Sequence, residues 1–274
     1  MTNRVVSVFA PAKINLFLHV GEKRRDGFHA LESLAVFVDV GDELTFQTAN
    51  DLSLSIEGPF AGDLGADADN LVLRAARSLN AKARIVLTKN LPVASGIGGG
   101  SADAAAALRG LNELCSFGRH DLGQIAATLG SDVPVCVASR AAWMEGRGEI
   151  LTPAELPGMA LVLVNPGVAV STAEVFRKLQ KRSGLTIRVA SQIDMMQFLG
   201  TTSNDLEAPA REIQPVIGDV LEALQTLPDV LLARMSGSGA TCFAIFGSEA
   251  SAVRAAQTLV AARPEWWVRA AKTL

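Results

Sequence analysis

The group of residues best suited to binding an anion is the glycine-rich segment Pro92–Ser101, which runs directly into an alanine-rich stretch. Four of the five residues from Gly96 to Gly100 are glycine, so the backbone can turn sharply and bring its amides close to a ligand. A helix that begins here adds unpaired N–H groups and the positive end of its dipole, which together favour phosphate. A flexible turn before a helix is the alternative, and this segment alone does not decide between the two.

Two common nucleotide-binding motifs do not fit this segment. The chain contains no G-x-x-x-x-G-K-[ST] sequence, so it has no P-loop of that type. The glycines also do not lie between the first strand and the first helix with an acidic residue about 20 positions further on, as dinucleotide-binding domains require. A dinucleotide-dependent oxidoreductase is therefore disfavoured.

Two further segments contain a charged group that could act in catalysis. In Ala10–Leu18 the residues alternate as in a strand, which places Lys13 and Asn15 on the same face. Taken alone, this segment favours an edge strand with a solvated lysine. Asp132 lies in the sequence Gly-Ser-Asp-Val-Pro, and by itself it is better explained as a helix N-cap or turn residue.

A second glycine-containing loop, Met235–Thr241, lies between two apolar segments near the end of the chain. It has the composition of a hairpin turn, but its small hydroxyl residues would also suit a loop that lies against phosphate. Both interpretations stay open from the residues alone.

The surrounding elements predict a mixed α+β fold of two domains. The 274 residues, of which 49% are hydrophobic and 19% charged, suffice for one large or two medium cores. Pro153, Pro157 and Gly158 suggest a boundary between residues 1–155 and 156–274. The patterns predict the following main elements: strands over 31–38, 43–48, 84–89, 135–149, 159–165, 230–234 and 241–246, and helices over 101–114, 121–129, 172–181, 213–226 and 249–262.

Composition also excludes several classes of partner. The net charge of −3 and the lack of a long basic run argue against nucleic acid. The three cysteines are far apart and form no C-x-x-C pair, which predicts buried thiols in a reducing compartment. The N-terminal sequence lacks the apolar block of a signal peptide, and no stretch has the composition of a membrane span. We therefore expect a cytoplasmic protein without a membrane partner.

The order of these segments along almost the whole chain resembles the three motifs of the GHMP kinases. That resemblance implies a two-domain fold with the active site in a cleft between the domains, and a kinase reaction with ATP as co-substrate and Mg²⁺ expected. It also implies that Asp132 is the general base and Lys13 the cation beside it. The implied ATP-binding residues are Pro92, Gly96, Gly98, Gly99, Gly100, Ser101 and Ala102.

Other motifs resemble one branch of this family, which phosphorylates a polyol carrying cytidine diphosphate in isoprenoid precursor synthesis. They are Ala12–Leu16, Arg25–His29, Asn165–Val168 and Ser203–Glu207. The resemblance implies that the substrate-binding residues are Asn15, Phe28, His29, Thr172 and Phe176, with the two phenylalanines on either side of the cytosine and His29 at its edge.

Each of these substrate-binding residues has a structural alternative. Phe176 would otherwise belong to a helix core, Thr172 lies within the capping box Ser171–Glu174, and His29 would be an ordinary surface histidine. The chain also departs from the family's pattern at two positions. Phe28 replaces the usual tyrosine, and Ala102 replaces the second serine after the glycines.

Two other functions are compatible with parts of this pattern. The first is a GHMP kinase that acts on an alcohol without a nucleotide group, which the binding of cytidine nucleotides would separate. The second is a nucleotide-binding regulatory module that has lost catalysis, which the presence of both Lys13 and Asp132 disfavours.

Overall fold

The computed structural model describes residues 4–25, 27–67, 69–115, 121–180, 182–184 and 194–274. The described residues form two compact units that interleave along the chain. Unit 1 is drawn from residues 4–13, 40–93 and 98–139, and unit 2 from residues 14–39, 94–97 and 140–274. Asp26 and Lys181, which belong to a predicted motif and a predicted helix end, lie outside the described residues.

Strands occur in both units, and the first two strands contribute residues to each unit. The strands are β1 (Val5–Lys23), β2 (His29–Thr48), β3 (Ser53–Glu57), β4 (Ala83–Thr88), β5 (Ala142–Gly146), β6 (Ile150–Pro153), β7 (Ala160–Asn165), β8 (Val230–Met235), β9 (Cys242–Phe246) and β10 (Trp267–Lys272).

Most of the helices are short, and the two longest are rich in alanine. The helices are α1 (Leu71–Ser78), α2 (Gly99–Cys115), α3 (Leu122–Leu129), α4 (Val133–Ala138), α5 (Thr172–Lys178), α6 (Met195–Gly200), α7 (Glu207–Ile213), α8 (Val216–Gln225) and α9 (Glu249–Ala262).

Unit 1 packs its helices around α2. Residues 43–48 of β2 pair antiparallel with β4, which pairs in parallel with β3. Helices α1, α3 and α4 all contact α2, whose residues Ala104–Leu108 are almost completely buried. Alanine is the strongest helix former and has a small side chain, so α2 is stable and lets its neighbours approach closely.

Unit 2 is built on an antiparallel sheet with the strand order β10-β7-β9-β8. Helices α8 and α9 contact this sheet, and both bury aliphatic side chains. Residues 31–35 of β2 pair with β5, which pairs with β6. The loop Met235–Thr241 therefore joins two antiparallel neighbours, β8 and β9, which agrees with its interpretation as a hairpin turn.

The predicted α+β class is confirmed, and so is the helix Glu249–Ala262. The prediction of strands over residues 135–149 is wrong at its start, because Val133–Ala138 is the helix α4. The valines of this segment suggested a strand, but Pro134 stands in the first turn, where a helix accepts proline. The predicted strands over 31–38 and 43–48 are one strand, and the predicted helix over 213–226 corresponds to α8, which begins three residues later.

The proposed domain boundary at residue 155 stays a prediction, since the two units are defined by packing and interleave along the chain. Among the residues that the structure describes, no helix combines the length and the apolar character that a membrane crossing requires.

Close packing of α2 against β2 gives a first prediction. A Cβ added at Gly110 would overlap the ring of Phe46, which is completely buried and has no space to move into. We expect Gly110→Ala to lower the free energy of unfolding by about 1–3 kcal/mol, the usual cost of overpacking a core. Urea denaturation measures this change. Gly62→Ala is the control, because an added Cβ there has no neighbour within 4 Å; equal stability of the two variants would contradict this packing.

Candidate active site

A short ion pair lies at the centre of the candidate site in unit 1. Lys13 Nζ donates a hydrogen bond to Asp132 Oδ2 over 2.7 Å. The lysine is 3% exposed, so the expectation of a solvated lysine on an edge strand is wrong. The Asp132 side chain stays 34% exposed, which leaves its carboxylate accessible from one side.

Asp132 lies directly before Val133, the first residue of α4. Asp132 occupies the N-cap position, but its side chain makes no capping hydrogen bond. By contrast, Asp121 caps α3 in the ordinary way and accepts from Gly123 N and Gln124 N. Asp132 thus has the location of a cap, while its carboxylate is directed to Lys13.

The glycine segment leads into the first turn of α2. The helix begins at Gly99, two residues earlier than predicted, so the last glycines are themselves helical. The first N–H groups of a helix have no acceptor within it, which makes the amides of this turn suitable for an anion. Ala102 N already donates to Gly98 O.

Gly98 brings this turn next to the catalytic candidates. Its φ of +66° lies in the left-handed region, and a Cβ there would be 3.3 Å from Lys13 Cβ. A side chain at Gly98 would therefore press on Lys13. The structure thus brings together Lys13, Asp132 and the start of α2 within unit 1.

The other ATP-binding candidates differ in exposure. Gly100 is exposed and Ser101 is half-buried, whereas Pro92, Gly99 and Ala102 are buried. A side chain at Gly99 would point at Lys89, because its Cβ would lie 3.1 Å from Lys89 Nζ. Since Ala102 is 1% exposed, a serine hydroxyl at that position would also be buried.

Behind the start of α2 lies a buried ionic cluster, which we call the Lys89 cluster, that sequence reasoning missed. Lys89 Nζ donates to Asp42 Oδ2 at 2.5 Å and to Asp103 Oδ2 at 2.7 Å, and all three residues are at most 2% exposed. Burial raises the pKa of Asp103 to about 7, although the Lys89 ammonium opposes this shift. Two signals in the sequence could have found it: a lysine just before the glycine segment, and one aspartate in a run of alanines.

In unit 2, the residues Ser95 and Gly96 are held by the hairpin loop between β8 and β9. Ser236 Oγ donates to Gly96 O and accepts from Asn15 N, and Thr241 N donates to Ser95 O. A Cβ at Gly96 would lie 2.5 Å from Ser236 O, so glycine is required there for packing.

The hydroxyl groups of this hairpin loop have partners within the protein. Ser236 Oγ donates to Gly96 O, and Thr241 Oγ1 accepts from Asn165 Nδ2. Ser238 and Thr172 share a hydrogen bond between their hydroxyls. Because these hydroxyls are engaged, the structure favours support of Ser95 and Gly96 over direct contact of these groups with phosphate.

Asn15 has one polar atom without a partner among the described residues. Its Nδ2 donates to Ser33 Oγ at 2.7 Å, and Ser33 in turn donates to Phe17 O. Asn15 Oδ1 is buried and makes no hydrogen bond within that part of the chain. A buried oxygen of this kind favours a ligand that brings a donor.

The aromatic candidates in unit 2 lie differently from the predicted sandwich. His29 and Phe176 stack on each other, with ring centroids 5.4 Å apart and an interplanar angle of 19°. Phe28 is 51% exposed, and the guanidinium of Arg147 lies 5.3 Å from its ring centroid. A base on the same face of Phe176 would have to replace His29 there.

Phe176 and Thr172 partly have the structural roles that were given as alternatives, in a helix core and in a capping box. Phe176 packs at the margin of the unit 2 core. Thr172 opens α5 directly after the cap Ser171, whose side chain accepts from Glu174 N, as the capping box predicts. The Thr172 hydroxyl nevertheless faces Ser238 rather than the cap.

Comparisons with known proteins identify the family of this chain. The chain matches the models for the GHMP kinases N terminal domain over residues 70–140 and for GHMP kinases C terminal over residues 187–264. It is 50% identical to a 4-diphosphocytidyl-2-C-methyl-D-erythritol kinase of Cereibacter sphaeroides, covering 98% of this chain and 99% of that one. It is 48% identical to the enzyme of that name from Bradyrhizobium diazoefficiens, covering 94% and 95% of the two chains.

A solved structure gives the same result. The crystal structure of a 4-(cytidine 5'-diphospho)-2C-methyl-D-erythritol kinase superimposes with a TM-score of 0.82 at 32% identity, covering 98% of this chain and 99% of that chain. Identity and coverage of this extent go beyond a shared fold. The chain therefore belongs to the GHMP kinase family, in the branch that contains the 4-diphosphocytidyl-2-C-methyl-D-erythritol kinases.

Proposed function

We propose that this kinase transfers the γ-phosphoryl group of ATP to a hydroxyl of 4-(cytidine 5'-diphospho)-2-C-methyl-D-erythritol, a step of isoprenoid precursor synthesis. The observation that carries the proposal is the pair Lys13–Asp132, in which a carboxylate at a cap position makes no cap and is held 2.7 Å from a buried ammonium. The similarity to named kinases over nearly the whole chain supports the choice of substrate.

In the proposed step, Asp132 acts as general base. Its carboxylate takes the proton of the substrate hydroxyl while the hydroxyl oxygen forms a bond to the γ-phosphorus. The bond from that phosphorus to the bridging oxygen breaks, and ADP leaves. Lys13 holds the carboxylate in place and adds positive charge near the transferred group, because phosphoryl transfer depends mainly on positioning and charge stabilisation.

The start of α2 is proposed to bind the phosphates through the amides of Gly98, Gly99, Gly100 and Ser101. Mg²⁺ would accompany ATP. Among the described residues there is no cluster of three or more histidine, cysteine or acidic side chains that could hold a metal ion, and Asp132 is already paired.

The proposed base-binding role of His29 requires the tautomer with its proton on Nδ1. His29 Nδ1 lies 3.4 Å from Gly21 O, which can accept that proton in a hydrogen bond. In this tautomer Nε2 has a lone pair, which can accept from the amino group of cytosine. Uracil has a carbonyl at that position, so the same nitrogen would face an acceptor.

The cytoplasmic location stays a prediction, as does the cleft between the domains.

A conservative change at Asp132 tests the chemical step. Asp132→Asn keeps the shape but cannot take the proton, so we expect kcat to fall at least about 10²-fold with little change in ATP affinity. Steady-state kinetics and calorimetry measure the two quantities.

Asp121→Asn is the matched control for Asp132→Asn. Asp121 is a true cap, and asparagine caps about as well as aspartate, so this variant should keep wild-type turnover. Near-normal turnover of Asp132→Asn as well would show that Asp132 is only a structural residue.

The substrate end is tested by kcat/KM for cytidine and uridine forms of the substrate. Stacking contributes roughly 1–3 kcal/mol per base and needs only a π-face, so Phe28→Tyr should be nearly neutral and Phe28→Ala should raise KM several-fold for both forms. His29→Ala should instead reduce the preference for cytidine, since it removes the acceptor for the amino group. An unchanged ratio in His29→Ala would mean that His29 does not read the base.

A further inference from the structure

The Lys89 cluster adjoins the turn that is proposed to bind phosphate. A Cβ at Gly99 would lie 3.1 Å from Lys89 Nζ, so the ammonium is next to the first residue of α2. Asp103 lies four residues after Gly99 on the same helix. Because a helix rises 1.5 Å per residue, Asp103 is about 3–6 Å along the axis from Ser101 and Gly99. A charge at Asp103 therefore acts on any anion bound at those amides, with little solvent between them to screen it.

The two carboxylates of the cluster are anchored very differently. Asp42 Oδ2 accepts from Lys89, and its Oδ1 accepts from Asn90 N at 2.6 Å and Leu91 N at 2.8 Å. These bonds fix the segment that enters the glycine loop. Asp103 Oδ2 accepts from Lys89, and its Oδ1 is buried without a hydrogen bond among the described residues. Hydrogen bonds from donors stabilise a carboxylate, so a proton taken up by this cluster would bind to Asp103.

The surroundings of Asp103 contain few other groups that could take this proton. Lys89 and Asp42 are the charged partners of Asp103. The buried side chains of α1 and α3 are all aliphatic, and α4 contributes the Cys136 thiol, whose pKa is raised by burial. The Lys13–Asp132 pair is the other ionised pair near Cys136.

We propose that the Lys89 cluster positions the first turn of α2 for the phosphates of ATP, and that Asp103 takes up a proton when they bind. With both carboxylates ionised the cluster has a net charge of −1, which opposes an anion at the same turn. Protonation of Asp103 makes the cluster neutral and leaves the Lys89 ammonium behind the phosphates. Asp103 and Lys89 are thus positioning residues, and this inference rests on the proposed function, namely that ATP binds at this turn.

The test is calorimetry of Mg–ATP binding without the second substrate, in buffers of different ionisation enthalpy at pH 7.5. Burial raises the pKa of Asp103 to about 7, and a nearby anion raises it further, so we expect uptake of a fraction of a proton per nucleotide at this pH. Because protons are taken up on binding, the affinity for Mg–ATP should fall several-fold as the pH rises from 7 to 8.5.

Asp103→Asn should bind Mg–ATP with no such uptake and with an affinity that varies little over this range, after the nucleotide's own titration is subtracted. Asp132→Asn should keep the uptake of the wild type. Loss of uptake in Asp132→Asn but not in Asp103→Asn would assign the proton to the Lys13–Asp132 pair and overturn the proposal.

The wild-type measurement can refute the proposal even if Asp103→Asn does not fold. Binding of Mg–ATP with no dependence on buffer enthalpy would refute proton uptake while leaving the proposed function intact. Failure of the wild type to bind Mg–ATP at all would instead refute the phosphate site itself.

Discussion

The pairing of the Lys13 ammonium with the Asp132 carboxylate is the interaction on which the rest of the site depends. The ammonium is almost completely buried, so it requires a negative partner, and Asp132 supplies one over 2.7 Å. That requirement explains why a residue at a helix N-cap position does not cap its helix. It also keeps the carboxylate correctly placed, which a general base needs before the substrate arrives.

The packing of unit 1 holds this ion pair next to the glycine turn. Helix α2 is rich in alanine and buried along most of its length, so it can pack closely against three helices and β2. Asp42 fixes the segment before the glycines, and Gly98 lies against the Lys13 side chain because it has no side chain of its own. In unit 2, the β8–β9 hairpin loop holds Ser95 and Gly96 through Ser236 and Thr241. The glycine segment is thus supported by hydrogen bonds just before it, at Asn90 and Leu91, and within it, at Ser95 and Gly96.

Much of this arrangement could be predicted from the sequence, since the motifs are local and their residue types limit the chemistry. Periodicity and turn residues predicted the α+β class and helix α9 correctly, but the valines of α4 led to a wrong prediction of a strand. The Lys89 cluster was missed, although Lys89 and Asp103 stand out in the sequence, because it also needs Asp42 of β2, which only the fold brings next to them. The stacking of His29 on Phe176 was missed for the same reason, since periodicity does not reveal which rings meet.

The central claim is that this site transfers phosphate to a polyol that carries cytidine diphosphate. The most direct measurement uses ATP labelled at the γ-phosphate and follows the label into a panel of polyols with and without a cytidine diphosphate group. We expect rapid labelling of 4-(cytidine 5'-diphospho)-2-C-methyl-D-erythritol and little labelling of the same polyol without the nucleotide. Equal or faster transfer to polyols that lack cytidine diphosphate would contradict it.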